Sequence, residues 1–144
     1  MKYHKIDANL FIKNRKKFTA MMKANSVAFF NSNDIYPVSA DSTLPFEQHR
    51  DIFYLSGIDQ EESVLMLCPN ASDPNHREVL FLKETNKHIA IWEGEKLNKL
   101  QAFKISGIKT VYWINEMEKI IESIVKHCEN IYYNHNEHYR ANVE

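Results

Sequence analysis

Glycine is scarce in this sequence: Gly57, Gly94 and Gly107 are the only three in 144 residues. Loops that cradle phosphate need several glycines close together so that backbone N–H groups can approach the anion, and both Gly-rich phosphate-binding patterns are thereby excluded. Cysteine is nearly as rare. Cys68 and Cys128 lie far apart, in or beside apolar segments, and read as buried free thiols in a reducing compartment rather than a disulfide. Neither sign of charge prevails: 18 Lys and Arg face 19 Asp and Glu, leaving no field to gather nucleic acid or an anionic membrane surface. No apolar run nears the ~20 residues that a membrane-spanning helix needs. The N-terminal MKYHKIDANLF has neither the apolar centre nor the small-residue cleavage site of a signal peptide. These absences predict a soluble cytoplasmic domain with no nucleic-acid or membrane partner.

What is present is an ordinary globular composition, 44% apolar and 26% charged, long enough for one domain, residues 1–144, with a sizeable core. The chain is organised around PFEQHRDIFYLSGIDQEESVLML. Its two apolar runs, residues 52–55 and 64–67, flank Ser56-Gly57 and the acidic cluster Asp59, Glu61 and Glu62. Aromatic and aliphatic runs bounded by Gly and charged residues predict two strands, and their near-continuous apolar character predicts a sheet covered on both faces. Before them, residues 7–25 read as a helix capped by Asp7, with Phe11, Phe18, Met21 and Met22 on one side and Lys13, Arg15, Lys16, Lys17 and Lys23 on a solvated face. SVAFFN is a strand, and residues 32–44 are a loop.

After them, EVLFLK is a third strand beyond the turn PNASDPNHR, and antiparallel to its neighbour. Leu97, Leu100 and Phe103 mark a short helix stopped by Ser106-Gly107. KTVYWI is a strand, and Asn115 is read as the cap of a helix carrying Met117, Ile120, Ile121, Ile124, Val125 and Cys128 on one face. NIYYN is the last strand, before a polar tail. The expected fold is a three-layer α/β domain with a mixed six-stranded sheet flanked by helices.

The residues alone assemble no catalytic constellation. His127, Cys128, His135 and His138 cluster near the end, but Cys128 falls on an apolar helix face and the later histidines in the polar tail, so no metal site is assigned. His49 and His76 sit in loops, and His88 reads as a strand-edge residue. Asp51, Asp59, Glu61 and Glu62 form the only dense carboxylate group. A nuclease would need such groups to converge on magnesium, whereas most of these lie in a turn and read as solvated. There is no Gly-x-Ser-x-Gly elbow, and neither cysteine has a recognisable base beside it.

Several segments, in order, carry a resemblance. Phe11 and Arg15 precede the strand SVAFF; Pro45-Phe46, Arg50-Asp51 and Phe53-Tyr54-Leu55-Ser56-Gly57 run into Val-Leu-Met-Leu; EVLFL, Ile91-Trp92-Glu93-Gly94-x-Lys96-Leu97 and Gly107-Ile108-x-x-Val111 follow. Together they resemble the N-terminal domain of the Xaa-Pro aminopeptidases (aminopeptidase P) and their creatinase and prolidase relatives, over roughly residues 8–143. The resemblance implies a ribonuclease H-like fold without nuclease activity, placed before a "pita-bread" catalytic domain. That second domain holds two metal ions, usually manganese, and removes an N-terminal residue that precedes proline. The expectation is therefore a non-catalytic domain from a longer parent, with the catalytic domain C-terminal to residue 144. It would bind no metal and hydrolyse nothing itself, while restricting substrate access and supporting homo-oligomerisation. By the same resemblance Trp92 is the first candidate to reach a substrate cleft, with Arg50 and Tyr54 behind it; the alternative places Trp92, and more strongly Tyr54, in the core. Lys96 matches the family's basic position after the tryptophan, its role open. The rival expectation is a creatinase-like protein-binding module from a parent without peptidase activity, as in some histone-chaperone subunits.

Overall fold

The computed structural model describes residues 4–135. Asp7 caps α1 (Ala8–Met21), its carboxylate accepting the Asn9 N–H at 2.9 Å, as the sequence predicts. β1 (Ser26–Asn31) follows, then a small exposed hairpin of β2 (Pro37–Ser39) and β3 (Ser42–Thr43) inside the expected loop. Next come α2 (Arg50–Ser56), β4 (Val64–Leu67), β5 (Glu78–Leu82), α3 (Lys87–Glu93), α4 (Lys99–Ser106), β6 (Thr110–Trp113), α5 (Met117–Val125) and β7 (Asn130–Tyr133). The main sheet runs β6-β5-β4-β1-β7; β4 is antiparallel to β1 and β5, while β6 and β7 join parallel at the two edges.

Each central strand feeds two cores, because successive side chains point to opposite faces. Leu65 and Leu67 of β4 join Ala28, Leu80, Ile52, Leu55 and Ile108 under α1, α2 and α4. Val64, Met66 and Cys68 join Val27, Val79, Phe81 and Ile124 under α5. Both faces of the sheet are thus covered, and the architecture is the expected three-layer α/β.

The strand count differs: five strands in the main sheet, not six, plus the separate two-stranded hairpin. The missing strand is residues 52–55, which are helical in α2. Ile52, Leu55 and Ser56 are buried while Tyr54 faces out, a three-and-four spacing that four apolar letters are too few to display. His88 likewise lies in α3, not at a strand edge. Asn115 does not cap α5; a turn of 3-10 helix over Ile114–Glu116 leads in, with the Glu116 carboxylate accepting the Trp113 N–H at 2.8 Å.

Arg15 is the largest departure from the solvated basic face. It is 2% exposed, donates to the Leu55 carbonyl at 2.8 Å and pairs through Nε with Glu78 at the start of β5. On the opposite assumption, Met21 is 77% exposed at the end of α1.

Candidate functional site

Arg50 and Tyr54 sit one turn apart on α2, whose entry is fixed by His49: its Nδ1 accepts the Asp51 N–H at 3.2 Å. Arg50 is exposed. Tyr54 is 51% exposed, not part of the core. Trp92 stands near the end of α3 and is 82% exposed beside Ile91 at 75%, so it does not close the edge of this domain's core. Among the described residues no hydrogen bond, ion pair or ring contact joins Trp92 to Arg50 or Tyr54.

α3 has no fully buried residue, only Ile89 and Ala90 half-buried, so its packing is thin and polar ties add to it. At its start the Asn86 carbonyl oxygen of the side chain accepts the N–H groups of His88 and Ile89, both at 2.9 Å. At its end Glu93 meets the Lys83 ammonium at 3.2 Å, and Lys83 also reaches Glu62 at 3.5 Å. The hydrogen bond to Glu93, with the charges of Glu62 and Glu93, raises the Lys83 ammonium above the usual lysine range although its partial burial opposes this. Gly94 follows with φ +82°, and the chain returns to the acidic turn: Lys96 pairs with Glu61, and the Leu97 N–H donates to the Gln60 side-chain oxygen at 2.8 Å.

The acidic turn is solvated only in part: Glu62 is exposed and Asp59 half-buried, but its centre is not. Glu61 is 8% exposed and Gln60 6%. Burial alone would push the Glu61 carboxyl up, but the bound Lys96 ammonium, its own backbone N–H and the nearby Lys83 charge hold it below the usual carboxylate range. The turn is fastened from the other side by Gln48, whose amide donates to the Ile58 and Gln60 carbonyls at 3.0 Å each. Sequence reasoning missed Gln48, Gln60 and Lys83 entirely. The Lys96 position it flagged, and the partner could have been sought among the three acidic residues of the turn.

Among the described residues no three His, Cys, Asp or Glu side chains converge to hold a metal ion. His135 is described and exposed, whereas His138 lies outside the described residues. No described helix is long and apolar enough to cross a membrane. A cleft of about 610 Å³ opens instead on the α5 face, lined by Cys68, Asp73, His76, His127 and Cys128 among others; none of Trp92, Arg50 and Tyr54 borders it.

Comparison with known proteins adds four findings. The family described as aminopeptidase P, N-terminal domain, matches residues 11–132. An Xaa-Pro aminopeptidase of Escherichia coli strain K12 is 26% identical over 133 residues, covering 92% of this chain and 30% of that protein. In structure the chain superposes on aminopeptidase PepP of Pseudomonas aeruginosa with a TM-score of 0.83 at 23% identity, over 95% of this chain and 30% of that one. Zinc-substituted aminopeptidase P of E. coli in complex with product gives 0.80 at 25% identity, over 96% and 31%. This chain thus spans less than a third of each of these relatives.

Proposed function

Because the chain belongs to the aminopeptidase P N-terminal domain family, we propose that it serves as the non-catalytic N-terminal domain of a cytoplasmic, metal-dependent Xaa-Pro aminopeptidase. That parent would release the residue preceding proline from peptides with proline second, its catalytic domain following residue 144. Two manganese ions would supply the water activation there. The described residues of this domain do not fit such a centre, since no three ligating side chains converge, and no step of the reaction is assigned to them. The domain's part is shape: it restricts access to the catalytic cleft and gives subunit contacts for a homo-oligomer.

The observation that supports this reading is the bracing of Trp92. Leaving a large indole in water forgoes roughly 1.5–3 kcal/mol of burial, and none of the described residues recovers it. Yet the helix that carries it is tied at both ends, through Asn86 and through Glu93 to Lys83. An exposed aromatic on a helix tied at both ends suits contact with a surface outside the domain, the peptide cleft of its own or a neighbouring subunit. Arg50 and Tyr54, exposed on α2, are secondary candidates for the same cleft.

The test is release of the N-terminal residue from Xaa-Pro peptides with added manganese, by the parent chain and by this domain in parallel. Activity in the parent alone is expected. Activity in neither moves the assignment to a creatinase-like binding module, and activity in the domain alone overturns it.

A further inference from the structure

The α5 face carries a feature that the proposed function does not use. Cys68 directly follows β4 and is buried, its N–H donating to the Arg77 carbonyl at 2.9 Å and its carbonyl accepting from Ala71 at 3.0 Å. Cys128 lies in the turn after α5, half-buried, 60 residues later in the chain. The two Sγ atoms are 3.9 Å apart. Both border the 610 Å³ cleft, together with Asp73, His76 and His127; Cys68 is 3% exposed and Cys128 half-buried, so a solute in the cleft meets Cys128 first. A disulfide needs its sulfurs at about 2 Å, so rotation of the two side chains has to close the remaining gap.

We propose that Cys68 and Cys128 form a reversible dithiol–disulfide site that exchanges with low-molecular-weight disulfides of the glutathione class entering through this cleft. The order of attack follows from burial. Cys128, the more accessible sulfur, attacks as thiolate; its S–S bond to one glutathione sulfur forms as the glutathione S–S bond breaks, and the first glutathione leaves as thiolate. Cys68 then attacks the Cys128 sulfur and expels the second glutathione. The two protein sulfurs are oxidised, the two glutathione sulfurs reduced, and the two protein thiol protons end on two molecules of reduced glutathione. Burial, and the neighbouring Cys128 thiol, push the Cys68 thiol up to about 11, so Cys68 does not attack first and its attack on the mixed disulfide is the slow step. The bridge would fasten the end of the central strand β4 to the turn between α5 and the edge strand β7.

The experiment incubates the reduced 144-residue chain in glutathione buffers of stepped oxidised-to-reduced ratio, reading intact mass, free thiols, linked peptides and Tm. The expected result is a monomer lighter by two hydrogens with a Cys68–Cys128 peptide. Its Tm should rise by roughly 5–10 °C, as for a loop of this length, and return on reduction. Cys68→Ser, or Cys68→Ala should the serine variant fold poorly, is expected to trap one glutathione on Cys128. Two thiols that survive every ratio, two separate glutathione adducts, or cross-linked dimers in place of the internal bridge would each overturn the proposal.

Discussion

Ser56 and Ser106 make the same two hydrogen bonds at the ends of two different helices. Each donates its hydroxyl to the carbonyl four residues earlier, Ile52 at 2.6 Å and Ala102 at 2.7 Å. Each accepts the N–H two residues on, from Ile58 at 3.2 Å and Ile108 at 3.0 Å. Between them stand Gly57 and Gly107, left-handed at φ +71° and +76°, and in both cases the isoleucine drops into the core beneath α1. Ser-Gly-Ile is thus one structural unit used twice: the hydroxyl ties off the last turn, the glycine reverses the chain and the isoleucine anchors it.

The two glycines differ in what crowds them. A Cβ on Gly57 would overlap Cε2 of Phe11, a ring that is 3% exposed and packed edge-on to Phe53 at 6.0 Å. On Gly107 it would meet the tip of Ile12, Cδ1 at 2.7 Å, which turns aside more easily. Both substitutions strain a left-handed backbone, but Gly57→Ala also overpacks a rigid ring. Gly57→Ala is expected to cost about 2–4 kcal/mol and Gly107→Ala about 1–2, read as midpoint shifts in urea. Equal costs would show that the Phe11 contact is slack.

Arg15 offers the second test. Its guanidinium joins α1 to the Leu55 carbonyl of α2 and to Glu78 of β5, while Nη2 is buried with no hydrogen-bond partner among the described residues. Glu78 is 42% exposed, so solvent weakens the pair from one side. Glu78→Ala should still destabilise by roughly 1–3 kcal/mol, because it leaves a buried cation short of its countercharge. Arg15→Met, which removes the charge and keeps the stem, should cost less than Arg15→Ala. Chemical denaturation of the three variants gives the order directly.

Acid titration tests the tie between the acidic turn and the Trp92 segment. The Glu61 carboxyl is held below its ordinary 4.5, so the folded state binds its proton later than the unfolded chain does. Its stabilisation is then complete above about pH 4.5 and lost as pH falls through the lower folded value. Tm measured from pH 7 to pH 3 should show wild type above Glu61→Gln at neutral pH, the gap closing on acidification below pH 4.5. A constant gap would mean that the Lys96 pair contributes no pH-dependent stability.

Legibility in the sequence followed the length of each pattern. α5 shows its periodicity over nine residues and α1 over fourteen, and both were readable apart from their exact ends. β1, β4, β5, β6 and β7 were readable because apolar runs between turn formers have few other uses. α2 failed because its seven residues offer only two turns, and IFYL looks as apolar as a strand. The signal is in the chain: the Ser-Gly that stops a helix after Phe103 also follows Tyr54-Leu55. Arg15 could not be placed from sequence, since its burial depends on Leu55 and Glu78, 40 and 63 residues away. The resemblance pointed to Trp92, but only the fold shows how a helix without buried residues is held.

The two tryptophans divide the alternatives for Trp92. Trp113, at the end of β6, is the one that closes an edge of the core: it packs against the α1/α2/α4 side and has the Lys99 ammonium 4.8 Å from its ring centre. Trp92 has no such surroundings at 82% exposure. Trp113→Ala should therefore destabilise the isolated domain by about 2–3 kcal/mol, whereas Trp92→Ala should stay within about 0.5 kcal/mol of wild type. In the parent chain the ranking should reverse for function, with Trp92→Ala lowering kcat/KM on Xaa-Pro peptides while Tm holds. Iodide quenching separates the cases further: in the domain alone the Trp92 emission is quenched, and in the assembled parent it is protected if a cleft or neighbouring subunit covers it. Full activity and full quenching of Trp92 in the parent would remove it from the substrate path and leave Arg50 and Tyr54 on α2 as the residues to test.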